Sequence, residues 1–168
     1  VWKLCNAKLA EESMSVRNLI RQSNVTTICT TDDPIDSLEW HKMIAEDESF
    51  EVSVYPAWRP DKAMNIEKPD FMEYMGKLGD ASGVTIDSYE TMMEAIKLRM
   101  AFFHSMQCRV SDHGIDYVVY QPASAEVIEG IYQKKANGED LTALEVDQFK
   151  TAFIVEVGKE YHRLGWVM

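Results

Sequence analysis

Three short polar clusters carry the residue types that could do chemistry in this chain. They are Thr30-Thr31-Asp32-Asp33-Pro34, Trp58-Arg59-Pro60-Asp61-Lys62 and Ser111-Asp112-His113-Gly114. Arg59, restrained between Trp58 and Pro60, has a planar fork of donors suited to bidentate grip on a carboxylate, or to a salt bridge with Asp61, Asp32 or Asp33. Asp112 and His113 offer acid–base groups and acceptors for sugar hydroxyls, although neighbours on an extended strand point to opposite faces, so only one readily enters a shared pocket. Asp32 and Asp33 could hold a cation or a hydroxyl; Asp before Pro is also ordinary turn chemistry. Gly114 implies either positive φ or close backbone approach. His41, His104 and His162 fall inside helical patterns. The sequence contains no His-x-His, HExxH or zinc-spaced Cys/His set, and no GxGxxG, Walker loop or GxSxG elbow.

The clusters are positioned by a strand and helix pattern. A helix is expected over residues 15–22, a β-branched strand over 25–30, a helix over 37–46 and a strand ending at Pro56. Strand, helix, strand with short connections implies parallel pairing. Residues 60–107 read as helical, with Pro69 in a first turn, Gly79 as a helix stop, and Tyr89, Met93, Ile96, Met100 and Phe103 on one face. Residues 108–111 read as a third strand, 118–119 as a brief extended piece, 122–135 and 142–164 as helices, and 166–168 as the start of a fourth strand. Asp36/Glu39, Asp87/Glu90 and Thr142/Glu145 are spaced as capping boxes. About three complete strands and at least six helices make an α/β chain with each polar cluster at a strand's carboxyl end, where parallel folds bind ligands.

Composition narrows the partners. Lys and Arg number 17 against 28 Asp and Glu, for a net charge of −11, which repels nucleic acid and anionic membrane while leaving room for a local arginine to hold a small anion. Three cysteines, odd in number and widely spaced, fit free and mostly buried thiols in a reducing cytoplasm. No apolar run reaches membrane-spanning length. With 168 residues, Val1 first and an apolar ending, the chain is expected to be cut from a longer polypeptide, since a complete eight-stranded α/β barrel needs about 250 residues. Open strand edges would then favour homo-oligomers. A free-standing, non-catalytic α/β or helical binding module is the competing reading.

Thr30-Thr31-Asp32-Asp33-Pro34-Ile35-Asp36-Ser37-Leu38-Glu39, Trp58-Arg59-Pro60-Asp61-Lys62-Ala63 and Ser111-Asp112-His113 resemble signature segments of the uronate (glucuronate) isomerase family, in order and spacing. Gln148-Phe149-Lys150-Thr151-Ala152 and Gly165-Trp166-Val167 are also similar. The resemblance implies a partial TIM (β/α)8 barrel of the amidohydrolase type, with β/α units at about 13–60 and 108–120 and helical parts at about 61–107 and 121–164, forming an internal segment of one barrel domain. It implies aldose–ketose isomerisation of D-glucuronate to D-fructuronate and of D-galacturonate to D-tagaturonate. Arg59 and Asp112 match active-site positions of the family, Trp58 and His113 adjoin them as substrate contacts, and Asp32 and Asp33 are secondary candidates. The family's metal ligands lie on segments absent here, so no cofactor is expected within this chain, a divalent, zinc-like metal belongs to the full-length enzyme, and the isolated chain is expected to be inactive.

Overall fold

Two compact units divide the chain in a computed structural model that describes residues 1–168: residues 1–30 with 38–55, and residues 31–37 with 56–168. The first contains α1 (Trp2–Leu9), a 3-10 turn (Glu12–Met14), α2 (Val16–Gln22), β1 (Thr27–Cys29), α3 (Glu39–Ala45) and β2 (Ser53–Tyr55). The β-branched run forms β1, which pairs in parallel with β2 in the register Thr27–Ser53, Ile28–Val54 and Cys29–Tyr55. Helix α3 is the crossover that parallel pairing demands. Ser15 caps α2 by accepting from the Asn18 N–H. Arg17 and Arg21 lie over the Phe50 ring and pair with Asp47 and Glu51. His41 is buried, its Nε2 2.8 Å from Thr30 Oγ1.

The second unit holds α4 (Asp61–Met64), α5 (Phe71–Ser82), α6 (Tyr89–Ser105), α7 (Ala125–Ala136) and α8 (Ala143–Leu164). The expected apolar stripes form its core: Met93, Ile96, Met100 and Phe103 of α6 are buried, as are Phe149, Phe153, Val157 and Tyr161 of α8. Phe71 meets Phe149 and Tyr132 edge to face at centroid distances of 5.9 and 6.4 Å. Each such side chain contributes about 1.5–3 kcal/mol of burial, which outweighs any single surface ion pair.

Extended backbone in this unit is short. Isolated parallel bridges join Asp32 to Trp58, Trp58 to Ser111, and Val110 to Val167. The expected third and fourth strands are thus a ladder of one or two residues each, held by Trp58 N–H to Val110 O at 3.1 Å and Ser111 N–H to Val167 O at 2.8 Å. Residues 118–119 form no strand. The architecture is α/β, mostly helical, with a small parallel sheet.

Several local readings change. The Asp36/Glu39 capping box does not form: Leu38 is the N-cap of α3, at φ 55°, and Asp36 Oδ2 accepts instead from Asp33 N–H at 2.8 Å. The box opening α6 is Ser88 with Thr91, one residue beyond Asp87/Glu90, while Thr142/Glu145 forms as read. Gly79 does not stop α5, which continues to Ser82 and closes at Gly83 in the left-handed region. The three thiols are free, but only Cys108 is buried; Cys5 and Cys29 are exposed. No helix is long and apolar enough to cross a membrane.

The two glycines of α5 give opposite expectations. A Cβ at Gly76 meets nothing within 4 Å, whereas one at Gly79 would lie 2.9 Å from the backbone oxygen of Val84. Gly76→Ala should raise stability by about 0.5–1 kcal/mol from helix propensity. Gly79→Ala should lower it, because fixed backbone cannot yield; urea unfolding midpoints of the pair provide the check.

Candidate active site

Within the second unit the ladder places the three polar clusters on successive parallel segments. Asp32 accepts from Arg59 N–H through its backbone oxygen at 2.9 Å, and Trp58 O accepts from Asp112 N–H at 2.9 Å. Side chains alternate along extended backbone, so burying Trp58 turns Arg59 the other way, and Asp112 diverges from Ser111 and His113 in the same manner. Arg59 Nε lies 3.2 Å from Asp61 Oδ2 and 3.3 Å from Asp112 Oδ2, as ion pairs without hydrogen-bond geometry at Nε. The Arg59 and Asp112 side chains are 42% and 49% exposed, so both can meet a solute. Such exposed pairs contribute at most about 1 kcal/mol each, and their main effect is to orient the guanidinium.

Asp61 is the inner carboxylate of this arrangement. Both of its oxygens accept from the Gly114 N–H at 3.1 Å. A Cβ at Gly114 would stand 2.7 Å from Asp61 Oδ2 and would displace that carboxylate, so glycine permits the close approach; its φ is not positive. The Asp112-His113-Gly114 turn is therefore tied to the segment that carries Arg59.

The remaining candidates are not part of this exposed ion pair. Trp58 is fully buried, edge to face with Phe103 at 4.9 Å and with Trp166 at 6.2 Å, and supports the ladder as core instead of offering its ring to a solute. His113 is half-buried, with Nε2 3.0 Å from Tyr161 Oη and a buried Nδ1 that has no hydrogen-bond partner. Burial pushes its pKa below the ordinary imidazole value, against the opposing pull of Asp61 and Asp112. Asp32 is buried and accepts from Ala57 N–H at 3.1 Å. Asp33 accepts from Tyr74 Oη at 2.7 Å and Ile35 N–H at 3.2 Å and pairs with Lys62. Burial first, and then the Asp33 charge, raise the Tyr74 phenol far above its usual range. Asp33 thus follows turn and anchoring chemistry.

Sequence reasoning passed over two residues. Arg99, buried in the apolar face of α6, donates to Pro34 O at 2.6 Å, Asp36 O at 2.8 Å and Ala81 O at 3.2 Å. Tyr161 was read only as part of the buried stripe of α8. The available signal was a polar terminus within each apolar stripe.

The residues present do not suit a divalent cation. No three His, Cys, Asp or Glu side chains converge. The two carboxylates nearest each other in function, Asp61 and Asp112, flank the positive Arg59, and Tyr161 occupies His113 Nε2.

Fold and site together define an α/β protein that presents an arginine flanked by carboxylates beyond the ends of short parallel segments. The chain belongs to the glucuronate isomerase family, whose sequence profile matches residues 1–168. It is 61% identical over its whole length to a uronate isomerase of Lachnoclostridium phytofermentans, spanning 36% of that relative. Among solved structures it is similar to a uronate isomerase from Thermotoga maritima (TM-score 0.83, 31% identity, covering 89% of this chain and 33% of that one). It is also similar to a glucuronate isomerase from Caulobacter crescentus (TM-score 0.86, 27% identity, covering 96% and 33%).

The lowered His113 pKa has a signed consequence. The unfolded chain binds a proton at this ring at higher pH than the folded one, so stability present above the unfolded value, about 6.5, falls as pH drops through the folded value. His113→Gln should flatten the decline of the urea midpoint as pH falls below about 6.5, and the His113 ring resonances should titrate below those of an unperturbed imidazole.

Proposed function

We propose that these residues form one wall of the substrate pocket of a uronate isomerase, a partial (β/α)8 barrel of the amidohydrolase type. The observation that carries this reading is the exposed Arg59–Asp112 pair, set on neighbouring parallel segments in a chain that matches the family throughout. The substrate is an open-chain sugar acid, D-glucuronate or D-galacturonate, converted to D-fructuronate or D-tagaturonate. A base removes the C2 proton, an enediol forms, and a proton returns at C1 while the C2 hydroxyl becomes a carbonyl.

In this reading Arg59 supplies charge where charge must be neutralised. Its outer edge receives the substrate carboxylate or the developing enediolate oxygen, and Asp61 and Asp112 hold its inner edge in place. The exposed Asp112 carboxylate accepts from substrate hydroxyls and fixes their orientation. His113, turned toward α8, backs Asp112. A divalent, zinc-like ion belongs to other segments of the full-length enzyme, where it would supply Lewis-acid polarisation. The chain spans 36% of that relative's length, and turnover is assigned to the full-length enzyme.

Isomerase assays on the full-length protein test the assignment. Arg59→Ala should lower kcat/KM by about 100-fold or more, as expected for the loss of a charge-assisted contact in the transition state, with Arg59→Lys recovering only part. Asp112→Asn should cost less than Arg59→Ala. Unchanged activity in Arg59→Ala would remove this reading.

A further inference from the structure

His104 stands in the last turn of α6 and makes a contact that its place in a helical pattern does not predict. Its Nδ1 accepts from the indole N–H of Trp166 at 3.0 Å, across 62 residues of chain. The ring planes are 15° apart with centroids at 6.3 Å, which suits an N–H directed at the lone pair in the imidazole plane. Chemistry fixes the direction of this hydrogen bond, because an indole nitrogen donates and cannot accept. The guanidinium of Arg109 approaches the same nitrogen, with Nη1 3.5 Å from Nδ1, and it too is only a donor. Two donors facing Nδ1 leave that nitrogen without a proton. The neutral ring then carries its proton on Nε2.

Both partners of His104 belong to the ladder. Arg109 O accepts from Val167 N–H at 2.9 Å, and Val167 O accepts from Ser111 N–H at 2.8 Å. These two bonds join the segment after α6 to the segment after α8. Arg109 Nη1 also donates to the carbonyls of His104 and Cys108, at 3.0 and 2.6 Å. Trp166 is buried and meets Trp58 edge to face at 6.2 Å. Without the imidazole acceptor a buried indole N–H would stand unpaired, which is costly enough to turn the ring toward water. That movement would withdraw support from Trp58, whose carbonyl holds the Asp112 N–H.

We infer that His104 is a positioning residue for the proposed site: Nδ1 of its Nε2–H tautomer anchors the Trp166 indole, and this anchor steadies the Trp58 ladder on which Arg59 and Asp112 are placed. The inference rests on the isomerase reading for its kinetic readout alone; the tautomer is a property of the protein itself.

Two substitutions in the full-length protein separate the acceptor from the ring. Asparagine puts an amide oxygen near the position of Nδ1 and discards the ring, whereas phenylalanine keeps a ring and discards the acceptor. His104→Asn should stay within about 3-fold of wild-type kcat/KM, while His104→Phe should fall by about 10-fold or more through displacement of Asp112. With 15N-labelled histidine, the signals lost in His104→Asn should show an unprotonated Nδ1 and a protonated Nε2 at about pH 7.5 in the wild type. The Trp166 indole N–H and the Val167 amide should exchange slowly in wild type and His104→Asn, and faster in His104→Phe. A wild-type ring protonated on Nδ1 overturns the inference. So does His104→Phe with wild-type kcat/KM and exchange, or a loss in His104→Asn as large as in His104→Phe. Should His104→Phe fail to fold, the wild-type tautomer and His104→Asn decide. Wild-type protein without isomerase activity would remove the proposed function, while tautomer and exchange still judge the anchor.

Discussion

The backbone of Trp58 is the point from which the site is built. Its N–H donates to Val110 O and its carbonyl accepts from Asp112 N–H, while the flanking Ala57 and Arg59 exchange hydrogen bonds with the backbone of Asp32. Buried peptide groups must find such partners, and here the partners come from two separate segments of chain. The indole has no exposed surface and is wedged against Phe103 and Trp166. Rotating the segment to expose the ring would break the ladder and empty the core together. With Trp58 fixed inward, the alternation of extended backbone leaves Arg59 no choice of side.

Energies are divided unequally between frame and site. Apolar burial on α5, α6 and α8 contributes kilocalories per side chain, and the ion pairs around Arg59 contribute little because water screens them. That imbalance suits a binding site. A guanidinium held weakly by two carboxylates can exchange part of that hold for an incoming anion at small cost, while Arg59 and Asp112 are positioned by backbone hydrogen bonds to Asp32 and Trp58.

Periodic and terminal signals made much of the fold readable. The stripes of α6 and α8, the Thr142/Glu145 cap and the parallel β1–β2 pair arise from local spacing, and local spacing is what a sequence displays. The misreadings occurred where a neighbouring turn offers a competing contact. Asp36 is spaced to cap α3 but bonds to Asp33 N–H across the turn, and Gly79 lies inside α5 where the chain leaving the helix brings the Val84 carbonyl close to it. Of the site, Arg59 with Asp61 and Asp112 was visible as types near strand ends. The burial of Trp58 was not, since a tryptophan beside a charged residue looks the same whether its ring faces core or solvent. Tyr161 was hidden by its ring, which satisfies the apolar period while its hydroxyl serves another element.

The guanidinium of Arg99 reaches carbonyls at Pro34, Asp36 and the end of α5, on segments up to 65 residues from it in sequence. A lysine's single ammonium group could not span three such fixed acceptors. The loop bearing Asp33 is consequently stapled to the helical layer and cannot loosen on its own. Opening of α5 and α6 would release that loop with them, so hydrogen exchange there should report one cooperative unit, and the order of this part of the site is inherited from the helices instead of being maintained locally.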